Sequence, residues 1–148
     1  MPQMCHNPDL NMNYLEKVQN LGRAANPFFV MMGIDPACIE HGRAVLRMTV
    51  RSDMMNGEGW LQGGIFTAIT DEAMVLAIYS LLEEGETIAT ISETTSFMYG
   101  AKDGILLVEG RVIKKGRRVA FAEGDVKTEE DPRVLSRTSA SFVVTKQY

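Results

Sequence analysis

The stretch from Asn56 to Leu82, NGEGWLQGGIFTAITDEAMVLAIYSLL, joins a glycine-rich loop to a long apolar run. Two glycines, Gly63 and Gly64, stand where a helix would begin, and from Ile65 onward almost every helical face is apolar. A helix that is apolar on all sides is a buried helix. The pattern therefore predicts a central helix around which the rest of the chain packs.

A small polar island interrupts this apolar run. Asp71 and Glu72 lie near its middle, shortly after Thr67 and Thr70. Ionised carboxylates are rarely buried without a partner or a function, and burial changes their reactivity. The two acidic side chains point about 100° apart around a helix, and the pattern does not decide between them. Either is a candidate base or nucleophile, or an acid with only a structural role.

The flanking segments predict one α+β domain over residues 1–148. A capped helix is expected from about Asn13 to Ala25, after a mobile terminus at residues 1–12. A hairpin follows, and four more strands come after the central helix, joined by short turns that suit antiparallel pairing. The expected strands are 34–40, 43–51, 86–99, 105–114, 118–128 and 134–145. A curved antiparallel sheet of five to six strands around the helix would explain its apolar faces.

Composition narrows the range of functions. A net charge of −4 and a pI of about 5.2 disfavour nucleic acid or an anionic membrane as the main partner. Cys5 and Cys38 make no disulfide framework, and without a signal-like segment a cytoplasmic location is expected. The two histidines, His6 and His41, lie in turn-rich contexts and predict no zinc site. No apolar run free of charge reaches the length of a membrane span.

The Gly63–Gly64 pair would expose free backbone N–H groups at the positive end of the helix. Such groups suit a polarised carbonyl or an oxyanion, although two glycines can also serve close packing alone. Asp71 lies eight residues further along, or about 12 Å of helical rise. A nucleophile and an oxyanion donor must both come within about 3 Å of the reacting group. If both act, they come from different subunits, and the active form is an oligomer.

The spacing N-x-x-G-x-x-Q-G-G-x-x-x-x-x-x-D, from Asn56 to Asp71, resembles the central motif of the hotdog-fold acyl-CoA thioesterases. The PaaI-like, phenylacetate-type branch is the most similar, and the likeness extends from about Ile34 to Val144. It implies a hotdog fold, in which a curved sheet encloses one helix. It also implies homo-oligomers, either dimers joined edge to edge or tetramers, with active sites at the dimer interface.

The resemblance also implies roles for individual residues. Asp71 would act on the thioester as nucleophile or general base, and the Gly63 N–H would polarise the thioester carbonyl. Asn56 would orient the attacking water or the substrate, and Gly64 would help to bind the substrate. Gln62 stands where many members of the family have histidine. Glutamine can still form hydrogen bonds there, but it cannot carry a proton near neutral pH.

A basic turn, KKGRR, concentrates cations in an otherwise acidic protein. Similarity to the family places this turn near the phosphates of coenzyme A, which arginine and lysine can pair with. A solvated hairpin turn is the equally good alternative. The candidate substrate-binding residues are Lys115, Gly116, Arg117 and Arg118.

The sequence thus predicts an acyl-CoA thioesterase that acts without metal or cofactor, with coenzyme A entering as part of the substrate. The acyl pocket is expected to be lined by Met54, Met55, Trp60 and Phe66, although methionines there can also be plain packing. A hotdog dehydratase or hydratase would need a histidine in the central segment, which this chain lacks. Gln62 keeps open the alternative of a non-catalytic acyl-CoA-binding or regulatory protein.

Overall fold

Six antiparallel strands form one sheet in the computed structural model, which describes residues 12–146. The predicted mobile terminus thus lies almost wholly outside the described residues. The strands follow the order β1-β2-β4-β5-β6-β3. The helices are α1 (Tyr14–Leu21), α2 (Pro27–Met32) and α3 (Gly63–Tyr79), and the strands are β1 (Ile34–Glu40), β2 (Arg43–Thr49), β3 (Glu86–Phe97), β4 (Ile105–Lys115), β5 (Val119–Thr128) and β6 (Ser136–Lys146). The predicted architecture of a sheet around one long helix is confirmed.

The N-terminal helix is shorter than predicted. Asn13 and Glu16 form the expected capping box, but the α-helix ends at Leu21 because Gly22 adopts a φ of 61°. The following turn, Gly22–Ala25, is a 3-10 helix. Asn26 then caps α2, where its side chain accepts a hydrogen bond from the Phe28 N–H at 2.9 Å.

The central helix α3 is buried on several faces, as its sequence predicts. Phe66, Ile69 and Leu76 pack with apolar side chains of β2 and β4, whereas Met74 and Ile78 pack with those of β5 and β6. No helix among residues 12–146 is long and apolar enough to cross a membrane.

A pair of glycines lets α3 lie unusually close to the sheet. Gly110 on β4 is paired with Gly124 on β5. A Cβ at Gly110 would come within 2.5 Å of the Ala73 carbonyl group, and one at Gly124 within 2.5 Å of the Thr70 Cγ2. The absence of side chains at both positions therefore allows the middle of α3 to pack directly against the centre of the sheet.

The edge strand β3 carries a bulge that decides which of its side chains face α3. The register with β6 shifts between Thr90 and Ser92, which leaves Ile91 as the extra residue. Thr90, Glu93 and Thr95 are consequently paired with buried residues on the inner face of β6, namely Phe142, Ala140 and Thr138. All three β3 side chains therefore point toward the helix.

Candidate active site

The start of α3 presents free backbone donors beside the end of β3. Gln62 is the N-cap, with extended φ and ψ of −60° and 130°, and its N–H is held by the Met54 carbonyl at 3.0 Å. The N–H groups of Gly63 and Gly64, in the first turn, have no acceptor within the helix. A Cβ at Gly63 would lie 3.5 Å from the ring of Phe97, the last residue of β3.

The Gln62 side chain folds back over this helix start. Its Oε1 lies 2.7 Å from the position that a Cβ of Gly64 would occupy, so a side chain at Gly64 would displace it. Gln62 is exposed to solvent. The glutamine amide is thus held next to the two free N–H groups and can supply one more donor or acceptor to a group bound there.

Asn56 stabilises the loop that precedes the helix. Its Oδ1 accepts hydrogen bonds from the N–H groups of Glu58 and Trp60, at 2.9 and 3.1 Å. Because this oxygen is committed to the loop, the side-chain NH₂ is the group that Asn56 can offer to a substrate or water. If Asn56 contacts a substrate or a water molecule, it therefore does so as a hydrogen-bond donor.

Asp71 lies two turns along α3 and is half-buried. The Thr90 hydroxyl, on β3, donates a hydrogen bond to Asp71 Oδ1 at 3.1 Å. Sequence reasoning missed Thr90, since its contact with the helix depends on the bulge at Ile91. The structure thus gives the Asp71 carboxylate a fixed donor on the strand that faces it.

Glu72, the rival carboxylate, faces the N-terminal segment instead. Its Oε2 accepts a hydrogen bond from Asn26 Nδ2 at 3.3 Å, and the Tyr14 hydroxyl also contacts it. Burial, and then the nearby charge of Asp71, raise the pKa of Glu72 above its ordinary value, and the nearby Asn26 amide and Tyr14 hydroxyl only partly oppose the rise. Burial also raises the pKa of Tyr14 to about 12, so its hydroxyl stays protonated. Glu72 therefore ties α3 to the N-terminal segment.

A second acid, Glu93 on β3, meets Asp71 across the site. Its side chain lies on β3 between Thr90, which bonds to Asp71, and Thr95, which bonds to Thr67 one turn earlier on α3, and its Oε2 is buried without a hydrogen-bond partner among residues 12–146. Burial first, and then the neighbouring Asp71 carboxyl group, raise the pKa of Glu93 to about 7. No local sequence pattern signals this pair, because the two residues are brought together only by the packing of β3 on α3.

Hydroxyl groups fix β3 to the helix one turn before this acid pair. The Thr67 and Thr95 hydroxyls are 2.8 Å apart, and Thr95 is also 2.8 Å from the hydroxyl of Thr138 on β6. This chain of hydrogen bonds crosses from helix to edge strand to neighbouring strand. It therefore sets the depth at which β3 packs over α3, and with it the contact between Asp71 and Glu93.

A cavity of about 330 Å³ opens beside the first two turns of α3. Of the residues expected to line the acyl pocket, Met54 lines this cavity, whereas Phe66 is buried in the core and Trp60 is exposed above Gly100. Met55 is half-buried. The cavity is lined mainly by apolar side chains of α2 and α3, and its walls include Phe28, Met31, Met32, Gln62, Gly64, Ile65 and Ala68.

The basic turn lies at the other end of the sheet from Gly63. Lys115 Nζ pairs with Glu86 Oε1 at 2.8 Å, and Glu86 is the first residue of β3. Gly63 lies beside Phe97, the last residue of that strand, and eleven steps of about 3.3 Å separate the two ends by roughly 36 Å. Arg117 and Arg118 are exposed. One protomer therefore brings Gln62, Gly63 and Gly64 together but leaves the turn at a distance.

The sheet enclosing one helix, with free N–H groups at its start and a carboxylate two turns further on, is typical of a hotdog-fold enzyme of the thioesterase type. Residues 58–135, more than half of the chain, match the family model of the thioesterase superfamily. The chain belongs to that superfamily.

Solved structures share the fold. A thioesterase from Haemophilus influenzae is 22% identical, with 87% of this chain and 90% of that chain covered at a TM-score of 0.80. A phenylacetic acid degradation-related protein from Ralstonia eutropha is 21% identical, with 88% of this chain and 99% of that chain covered at a TM-score of 0.77.

A relative is also found by sequence. A Saccharolobus solfataricus protein named as an esterase is 21% identical over 132 residues, 89% of this chain and 93% of its own. The predicted hotdog fold and the predicted thioesterase superfamily are confirmed, and the fold is shared with a phenylacetic acid degradation-related protein.

Proposed function

We propose that this chain is an acyl-CoA thioesterase whose active site is shared between two subunits. The observation that carries the proposal is the placement of two functional groups on one helix. Gly63, with its free N–H, lies beside Phe97 of β3, and the Asp71 carboxylate is bonded to Thr90 of the same strand. They are separated by about 12 Å of helical rise, so one helix cannot direct both at the same carbonyl group.

A second subunit joined along β3 would complete the site. β3 is an edge strand, so the backbone groups on its outer side are open to another chain, and its Ile91 and Phe97 side chains are exposed. Two β3 strands that pair antiparallel about a two-fold axis near Thr94 would bring the Gly63 end of one α3 toward the Asp71 of the other. An isologous dimer of this kind contains two equivalent sites.

In this arrangement the Gly63 N–H, and with it the Gln62 amide, polarises the thioester carbonyl. Asp71 either takes a proton from water, which attacks the carbonyl carbon, or attacks that carbon itself and forms an anhydride that water then opens. In both routes the carbon–sulfur bond breaks, and the products are a carboxylic acid and the free thiol of coenzyme A. The chemistry needs no metal or cofactor, so chelating agents should leave the rate unchanged.

Release of coenzyme A thiol from a panel of acyl- and aryl-CoA thioesters tests the reaction. Wild type should release thiol, Asp71→Asn should lose at least about a hundredfold in kcat, and Glu72→Gln should retain turnover because its carboxylate faces away from the site. Binding without release from every thioester would support the acyl-CoA-binding alternative that Gln62 keeps open. Full turnover in Asp71→Asn would contradict the assigned role of Asp71.

Gly63→Pro tests the backbone donor. Proline is tolerated at the first helical position and removes the N–H, and the extended conformation of Gln62 suits a residue that precedes proline. Gly63→Ala is the matched control, since it keeps the N–H and its Cβ would make only an ordinary contact with Phe97. Loss of one such donor should cost about 10²–10³-fold in kcat.

Mixing these two inactive variants tests whether the site is shared. A dimer of one Asp71→Asn subunit and one Gly63→Pro subunit would contain one intact site, formed by Gly63 of the first and Asp71 of the second. Random exchange should therefore restore about a quarter of wild-type activity. If each subunit carried a complete site, no activity would return on mixing, and the shared site would be disproved.

A further inference from the structure

Glu93 has no part in the reaction proposed above, although it lies inside the same site. The bulge at Ile91 turns its side chain toward α3, where it lies between two hydrogen bonds that join β3 to α3 and so beside Asp71. Its Oε2 is buried without a hydrogen-bond partner among the described residues. A carboxyl group in this position is costly unless it stays protonated or is compensated by a cation.

The surroundings of Glu93 offer no compensating charge. From α3 the facing ionisable group is Asp71, and the hydroxyl of Thr67 is already paired with Thr95. From β6 the residue opposite Glu93 is Ala140. Among residues 12–146, no lysine or arginine forms an ion pair with either acid, since the ion pairs of the described chain lie elsewhere.

Two carboxyl groups that lie side by side away from any cation cannot both ionise freely, so the pair retains one proton over a wide pH range. We propose that Glu93 is a positioning residue for Asp71, and that it keeps this proton and donates it in a hydrogen bond to the Asp71 carboxylate. The inference rests on the proposed function of Asp71. Together with the Thr90 hydroxyl, Glu93 gives Asp71 two donors from the same strand.

These two donors determine how Asp71 meets the substrate. They hold the carboxylate in one orientation and keep it ionised while the thioester or water approaches. When Glu93 ionises, the donor is lost and a second negative charge stands beside Asp71. Turnover should therefore fall as the pH rises through the pKa of Glu93, which is about 7.

Glu93→Gln separates this role from a purely structural one. The glutamine side chain keeps a donor at every pH, so the decrease in kcat above pH about 7 seen in wild type should disappear in this variant. Glu93→Leu fills the same space without a donor, and its kcat should be lower by about tenfold or more at every pH. Glu84→Gln removes an exposed carboxyl in the α3–β3 connection and controls for the change in net charge.

Three results would overturn the inference. Glu93→Gln could keep the wild-type decrease above pH 7, or Glu93→Leu could keep full turnover, and in either case the shared proton would not matter. Loss of all turnover in Glu93→Gln would show that Glu93 is itself the base and would reverse the two roles.

A measurement made without substrate tests the Asp71–Glu93 pairing independently of the proposed thioesterase reaction. Titration of the glutamate carboxyl carbons by NMR should give Glu93 a pKa near 7 in wild type and a value lower by about 1 in Asp71→Asn, where the facing charge is removed. An unchanged value in Asp71→Asn would disprove the pairing even in an active enzyme. If the pKa of Glu93 falls in Asp71→Asn but the wild-type protein hydrolyses no thioester, the pairing is supported and the proposed reaction is rejected.

Discussion

The Thr90 hydroxyl on the edge strand β3 donates a hydrogen bond to Asp71 Oδ1 on the central helix α3 at 3.1 Å. A carboxylate held by a fixed donor is oriented for reaction before the substrate binds. Thr90→Val should therefore lower kcat by about tenfold, the effect of about one hydrogen bond, while KM changes little. Thr90→Ser keeps the hydroxyl and should retain most of the turnover.

Thr49 supplies the matched control for this prediction. It is an exposed threonine at the end of β2, away from the β3 edge, and its backbone is paired with Ile105 of β4. Thr49→Val should leave kcat unchanged. Equal losses in Thr90→Val and Thr49→Val would indicate a general effect of replacing a strand threonine, and would contradict a specific role for the Thr90 hydroxyl.

Gly110 and Gly124 should be among the positions least tolerant of substitution. A methyl group at Gly110 would meet the Ala73 backbone at 2.5 Å, and backbone cannot move aside as a side-chain end can. Gly110→Ala should therefore destabilise the fold by at least about 1–3 kcal/mol, measured as a lower urea midpoint. Gly57→Ala is the control, because open space surrounds that glycine and its stability should change by less than about 1 kcal/mol.

The contacts at the two glycines differ, and this allows a second check. Part of the clash at Gly124 is with the Cγ2 methyl of Thr70, whereas the clash at Gly110 is with backbone only. Thr70→Ser removes that methyl and should recover part of the stability lost in Gly124→Ala, but none of that lost in Gly110→Ala. Equal recovery in both backgrounds would contradict the described packing.

Features set by short stretches of sequence could be predicted, and those set by distant pairing could not. The start of α3 and the alternation of β2 follow from neighbouring residues. The choice between Asp71 and Glu72 depends on Asn26, which approaches Glu72 from 46 positions away. The contact with Glu93 depends on a bulge whose place is visible only when β3 is paired with β6.

Glu72 should make stability depend on pH. Its pKa is raised on folding, mainly by burial, so the folded protein binds its proton more tightly than the unfolded chain. The free energy of unfolding should consequently decrease as the pH rises from about 4.5 through the raised value. Glu72→Gln abolishes this titration. Across the same pH range, the melting temperature of this variant should therefore increase relative to that of wild type.

Tyr14→Phe tests the cause of this effect. The Tyr14 hydroxyl lies near Glu72 and opposes the rise in its pKa. Removing the hydroxyl should raise the pKa of Glu72 further and extend the decrease in stability to higher pH. A parallel pH dependence of the melting temperature in wild type and Glu72→Gln would show that Glu72 has an ordinary pKa in the folded protein.

The basic turn should act on the nucleotide part of the substrate through its arginines. Arg117 and Arg118 are exposed, whereas Lys115 is engaged with Glu86 at 2.8 Å and is largely buried. The double variant Arg117→Gln/Arg118→Gln should raise KM for acyl-CoA several-fold, and the effect should shrink as salt is added. KM for an acyl-pantetheine thioester, which lacks the nucleotide phosphates, should not change.

Lys115→Gln separates binding from stability at the same turn. Loss of the ion pair leaves Glu86 without its partner, so this variant should lower the melting temperature more than the arginine double variant while KM changes less. The pKa of Glu86 is held below its ordinary value mainly by the hydrogen bond from Lys115, so the stability of wild type should also fall at acid pH as Glu86 is protonated. An equal rise in KM for acyl-CoA and acyl-pantetheine in the arginine variant would remove the turn from the substrate site.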